Sequence, residues 1–141
     1  MDGLQTAKTM ACYSSAPALT AFLAEAFGTF ALAFVVFALT SDQNKQAQGL
    51  FIPPIIIGSA VALIIAVIGP LSGASLNPAR ELGPRLILKL FGWSSAVAFK
   101  QLGLYAGAAV LGAVSGGFVV DKFLYAKEDN DNLGGSYDGR P

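Results

Sequence analysis

The stretch that most constrains this chain is Gly69-Pro70-Leu71-Ser72-Gly73-Ala74-Ser75-Leu76-Asn77-Pro78-Ala79-Arg80-Glu81-Leu82-Gly83-Pro84-Arg85. It lies between two segments long and apolar enough to cross a bilayer, yet it is punctuated by glycine, proline, an amide and charges. No acidic or basic residue occurs between Lys45 and Arg80, which puts the stretch at membrane depth. Gly69 to Leu76 reads as extended or irregular chain. Asn77 then offers a helix N-cap, Pro78 suits the first helical position, and Glu81 sets a carboxylate in the positive first turn. Irregular backbone at that depth is tolerated only where protein buries it or where it lines a watery cavity. A short helix beginning there presents free N–H groups and a positive dipole end, so the element reads as the lining of a pore.

Composition narrows the class. Of the 141 residues, 54% are hydrophobic and only 13% charged, about half the roughly 25% of ordinary soluble domains. Nine basic and nine acidic residues cancel, so no electrostatic footprint for nucleic acid exists. The one cysteine, Cys12, cannot form an internal disulfide, and the absence of histidine removes the usual metal ligand and proton shuttle. An enzyme, a metal site or a cofactor site has little to be built from, and none is expected.

Met1 to Pro17 has no clear period and reads as an N-terminal arm. The apolar run from Ala16 to Leu39, with Glu25 its one charge, is too long for a signal peptide. At 1.5 Å per residue it reaches roughly 36 Å, enough for a ~30 Å hydrocarbon core. Residues 50–69 form a second span, with Pro53 and Pro54 in its first turns, where missing N–H groups cost little. From Asn77 a helix can run to about Leu90, interrupted by Gly83-Pro84. Its roughly 20 Å is too short to cross. Trp93 suits an interface anchor, residues 97–120 a third span, and the charged tail 126–141 a disordered segment. The expected architecture is an all-α membrane domain over 18–125, with three transmembrane helices and a re-entrant loop and half-helix at 70–90.

The string from Ser72 to Arg85, with Asn77-Pro78-Ala79-Arg80 at its centre, resembles the second signature loop of the aquaporin and glycerol-facilitator family. The likeness extends from about Ala21 to Tyr125 and corresponds to the C-terminal half of a typical member, that is, half of an inverted-repeat bundle. It implies a multi-pass integral membrane protein, a passive channel for glycerol or water, and a higher oligomer such as a tetramer of pores. It further implies that Asn77 and Arg80 donate hydrogen bonds to the passing solute while excluding protons and ions. Filter positions fall at Ile65, Ala74 and Arg80. A strict water channel usually has histidine where Ile65 stands, so the constriction is expected to be wider and greasier.

Each of these residues also has a plainer reading. Asn77 caps the half-helix in any case. Arg80 could snorkel to the interface rather than face a cavity. Ile65 and Ala74 suit ordinary packing. Gly73, Ala74, Ser75 and Leu76 would present successive carbonyls as acceptors opposite the donors of Asn77 and Arg80, which suits water or a polyol. Glu25, mid-span, is either a proton relay or an acceptor for the free N–H groups of the loop. Ala24-Glu25-Ala26-Phe27-Gly28-Thr29 resembles the family's loop-bracing glutamate, and bracing is favoured. Gly103, Gly107, Gly112 and Gly116 argue for close helix packing. Glu81 and Arg85 can pair at i, i+4, worth a few tenths of a kcal/mol if exposed. An acid and a base at these two positions resemble glycerol facilitators, whereas Tyr105 followed by Ala106 resembles water channels.

A typical member has six spans and two Asn-Pro-Ala motifs, and three spans with one motif stand here. A lone half-helix would leave donors facing lipid at several kcal/mol each. A partner is therefore expected besides the bilayer itself: a first-half channel chain, or a second copy inserted upside down. Lysine and arginine are balanced between the two sides and fix no orientation. Two other readings compete with the channel half. One is a non-conducting membrane protein that assembles with full-length channels. The other is an ion-coupled transporter using Glu25.

Overall fold

Proline opens the first two apolar helices and glycine closes the second, none of these ends having a side-chain cap. Helix α1, Ala18–Thr40, starts directly after Pro17 and has no side-chain cap. Helix α2, Ile52–Ser72, carries proline in its opening turn, where no N–H is needed. The computed structural model describes residues 11–42, 44, 51–92 and 99–125. Residues 1–10 of the arm, Trp93, the first two residues of the expected third span and the tail 126–141 lie outside them. Among the described residues all regular structure is helical.

The sequence suggested a break at Gly69-Pro70, but α2 runs through both to Ser72. Pro70 forfeits one backbone bond, yet the turn still closes, because Gly73 N donates to Gly69 O at 2.9 Å. The stop is Gly73, whose φ of +94° is the left-handed geometry that ends helices. Only residues 73–77 are irregular. Helix α3, Pro78–Leu90, is likewise continuous across Gly83-Pro84. At 13 residues it spans roughly 20 Å. Helix α4, Leu102–Val119, passes into a π-helical segment, Val120–Tyr125. The third span therefore lies a few residues later than the sequence suggested. Tyr125 ties its end to α1 by donating to the Ala38 carbonyl at 2.6 Å.

Three helical segments, Ala18–Thr40, Ile52–Ser72 and Leu102–Tyr125, are long and apolar enough to cross a membrane. Helix α1 packs along α4 on one side and α2 on the other, and α3 rests on α4. Glycine sets the α1–α4 distance. A Cβ on Gly112 would overlap the Ala26 carbonyl, and one on Gly116 would come within 2.6 Å of the Phe30 carbonyl. Gly107 meets only the Phe22 ring, and Gly103 meets nothing within 4 Å, so two of the four glycines carry the close approach. On the other side Gly28 makes room for Ile68 and Leu76, whose methyls would lie 2.5 and 2.9 Å from an added Cβ. Helix α2 buries only Ile68 and Ser72, leaving Ile52, Ile55, Leu63 and Val67 exposed. So apolar a surface requires lipid or another apolar helix face.

Candidate functional site

The loop between α2 and α3 is held from below by one carboxylate. Glu25, fully buried on α1, accepts Ser75 N at 2.9 Å through Oε1 and Leu76 N at 2.8 Å through Oε2. These amides have no helical partner, and each would be costly to leave bare. The loop also contains two non-glycine residues at positive φ, Ala74 at 50° and Leu76 at 57°. Such residues cost roughly 1–2 kcal/mol each and persist where surrounding bonds over-determine them. Ser72 adds one such bond, its Oγ accepting Ala74 N at 3.2 Å. Tyr105 on α4 adds another, donating to Ser72 O at 2.6 Å.

Asn77 caps α3. Its Oδ1 accepts Ala79 N at 2.8 Å while its backbone is extended. The cap uses the acceptor end of the amide and leaves Nδ2, the donor end, uncommitted on an exposed residue. Pro78 occupies the first helical position and Ala79 supplies the capped N–H.

Arg80, one turn into α3, has a side chain 53% exposed. Its Nη1 donates to Cys12 Sγ at 2.7 Å and, more weakly, to Ala74 O at 3.4 Å. Ala74 and Arg80 are thus brought together. Ile65 lies on α2 with an exposed side chain, and none of these polar contacts reaches it. In the expected row of carbonyls, those of Gly73 and Ala74 accept from Cys12 Sγ and Arg80. Those of Ser75 and Leu76 accept no hydrogen bond among the described residues.

Glu81 and Arg85 do pair at i, i+4, and the pair is wholly buried. Arg85 donates to Glu81 Oε2 from Nε at 3.0 Å and from Nη2 at 2.6 Å. Arg85 also donates to the Cys12 carbonyl at 2.8 Å and to the Lys100 carbonyl, and it stacks 4.4 Å over the Tyr13 ring. Glu81 Oε1 accepts Cys12 N at 3.1 Å. The two charges therefore bind the half-helix to the arm and to the turn before α4. Gln101 completes the fastening, its amide making two bonds of 3.1 Å with the backbone of Ser14. Ser14 Oγ donates to Leu71 O at 2.7 Å.

Residues 11–14 are thus part of the site, which sequence reasoning missed. The arm has no periodicity, and contacts such as that between Cys12 and Arg80 span 68 positions. Burial pushes the Cys12 thiol up to about 11, although the hydrogen bond from Arg80 pulls the other way. A neutral thiol suits its surroundings, donating to Gly73 O at 3.3 Å while accepting from Arg80.

The chain has known relatives. The family profile described as major intrinsic protein matches residues 2–120. Aquaporin NIP3-1 of Arabidopsis thaliana is 44% identical over 104 residues, covering 74% of this chain and 29% of that protein. A glycerol uptake facilitator protein of Pseudomonas aeruginosa is 41% identical over 95 residues, or 65% of this chain and 33% of that protein. The protein of the same name in Haemophilus influenzae is 34% identical over 94% of this chain and 50% of its own length. The chain spans between about a third and a half of the length of these relatives. With three helices of spanning length and a profile match over most of its residues, the chain belongs to the major intrinsic protein family and is a multi-pass integral membrane protein.

Proposed function

We propose that the chain builds one half of a passive transmembrane passage for small neutral solutes, glycerol and water among them. The observation that carries this reading is the division of labour in the Asn77 amide. Oδ1 is consumed by the cap at Ala79 N, so the group left to meet a solute is a hydrogen-bond donor. It stands at the positive end of α3, one turn from the half-exposed guanidinium of Arg80. The uncommitted carbonyls of Ser75 and Leu76 supply acceptors. A hydroxyl group both donates and accepts, so water or a polyol can exchange its hydration for this wall.

Ion and proton exclusion belongs to the same proposal. Arg80 and the helix end are both positive, and cations are repelled where neutral molecules are not. A water held as acceptor by Asn77 must point its hydrogens away from the helix, which breaks a continuous proton-conducting chain. The exposed apolar side of α2 is the surface for the missing wall of the passage. A first-half channel chain or an inverted second copy supplies that wall, and such pores assemble into a higher oligomer, a tetramer in the simplest case. The relatives named for glycerol uptake support glycerol as the first solute to test.

The test is reswelling of proteoliposomes shrunk in glycerol, with this chain alone and then with the N-terminal half of the Pseudomonas aeruginosa relative. Glycerol flux without ion current, lost in Asn77→Leu, is the expected result. Permeability equal to empty vesicles in both preparations, together with co-purification on a full-length channel, would replace this reading with that of a non-conducting assembly partner.

A further inference from the structure

We propose that Cys12, carried on the arm, is a positioning residue for Arg80: its thiol fixes where the guanidinium stands above the loop and so helps decide which solutes pass. The inference rests on the channel reading above. Among the described residues the guanidinium is engaged at Nη1 alone, by Cys12 Sγ at 2.7 Å, by Ala74 O at 3.4 Å and by Glu81 Oε1 at the ion-pair distance of 3.9 Å. The second contact is at the outer limit of a hydrogen bond. Removing the thiol takes away the one short contact and leaves the half-exposed side chain the longer ones to Ala74 O and Glu81 Oε1.

The thiol is itself on a rigid mount. The amide and carbonyl on either side of Cys12 Cα are bound to Glu81 and Arg85, both on the helix that bears Arg80 and both fully buried. Gly73 lies so close that a Cβ there would come within 3.2 Å of Cys12 Cβ and Sγ. Arm, loop and half-helix are therefore fastened to one another, and the sulfur is the point at which the arm meets the guanidinium. Serine retains a group that both donates and accepts at this position, whereas alanine retains neither. An outer segment thus shares control of the constriction with the loop that forms it.

Two measurements test this. In proteoliposomes that carry flux, Cys12→Ala is expected to change the ratio of glycerol to water permeability at least about threefold, with Cys12→Ser holding it within about twofold of the parent. An unchanged ratio in Cys12→Ala overturns the proposal. The second measurement needs no flux. Cys12 is the one cysteine, so the infrared S–H stretching band of the whole chain in lipid is a single reporter. Arg80→Ala is expected to shift that band, and a band that stays put overturns the contact whatever the vesicles do. Absence of flux in every preparation would remove the channel reading and leave the spectrum to judge the pairing of Cys12 with Arg80.

Discussion

Arg85 and Glu81 form a bidentate contact at 3.0 and 2.6 Å on one carboxylate oxygen, and neither side chain reaches solvent. The contact closes a stripe of Glu81, Arg85 and Leu88 on the buried side of α3. A half-helix would ordinarily bury apolar residues there. This one instead buries a charge pair whose spare donors and acceptors are filled by Cys12 and Lys100.

Removing Arg85 leaves the buried Glu81 carboxylate only the Cys12 N–H and the 3.9 Å ion pair with half-exposed Arg80, a loss that can reach about 3–5 kcal/mol. Arg85→Leu is therefore expected to lower thermal stability in detergent far more than a surface change, and to release the arm as well. Limited proteolysis near residues 11–14 checks the second effect. Arm cleavage no faster than in the parent would show that Arg85 does not hold this segment.

Glu25 carries the next prediction. Glu25→Ala leaves the buried amide of Ser75 and the half-buried amide of Leu76 without acceptors, at roughly 1–3 kcal/mol for the former and less for the latter. Hydrogen exchange at these two amides is expected to accelerate strongly in the variant. Glu25→Gln is expected to fall between, since its amide oxygen accepts one N–H while its NH2 faces the other. Were Glu25 a proton relay instead, exchange at the two amides would be indifferent to Glu25→Gln and flux would lose a dependence on pH.

The two glycine pairs on α4 separate under substitution. Gly112→Ala drives a methyl into the Ala26 backbone, which cannot rotate away, and is expected to destabilise by about 1–3 kcal/mol. Gly103→Ala meets open space and gains helix propensity of up to about 1 kcal/mol. Opposite signs in a thermal or denaturant titration are the expected outcome. Equal effects would mean that α1 and α4 are not in backbone contact at Gly112.

These elements differ in how far the sequence discloses them, for physical reasons. The cap at Asn77 is local: an asparagine, a proline and an acid within five residues leave few other conformations. Spans are equally legible, because twenty apolar residues have one economical arrangement. The run of α2 through Pro70 was not, since proline near a helix end costs only one bond and the stop at Gly73 depends on a left-handed φ that residue type merely permits. Least legible were the burial of Glu81 with Arg85 and the docking of Cys12. Their i, i+4 spacing is visible, but the arm that covers them approaches from about seventy positions away, and nothing in its composition announces that partner.

The last prediction concerns pH. Burial pushes the Cys12 thiol up from 9.0 to about 11, so the folded chain retains this proton where the unfolded chain has lost it. Stability from the neutral thiol is complete below pH 9 and drains away as pH rises toward 11, with a slope set by the difference in bound protons. Tyr13 also ionises at alkaline pH, so the comparison must be made against Cys12→Ser, whose hydroxyl does not ionise in this range. Thermal midpoints in detergent at pH 8, 9 and 10 are expected to fall more steeply for the parent than for the variant above pH 9. Parallel curves would mean that the thiol ionises as readily in the folded chain as in the unfolded one, and that the arm leaves it open to water.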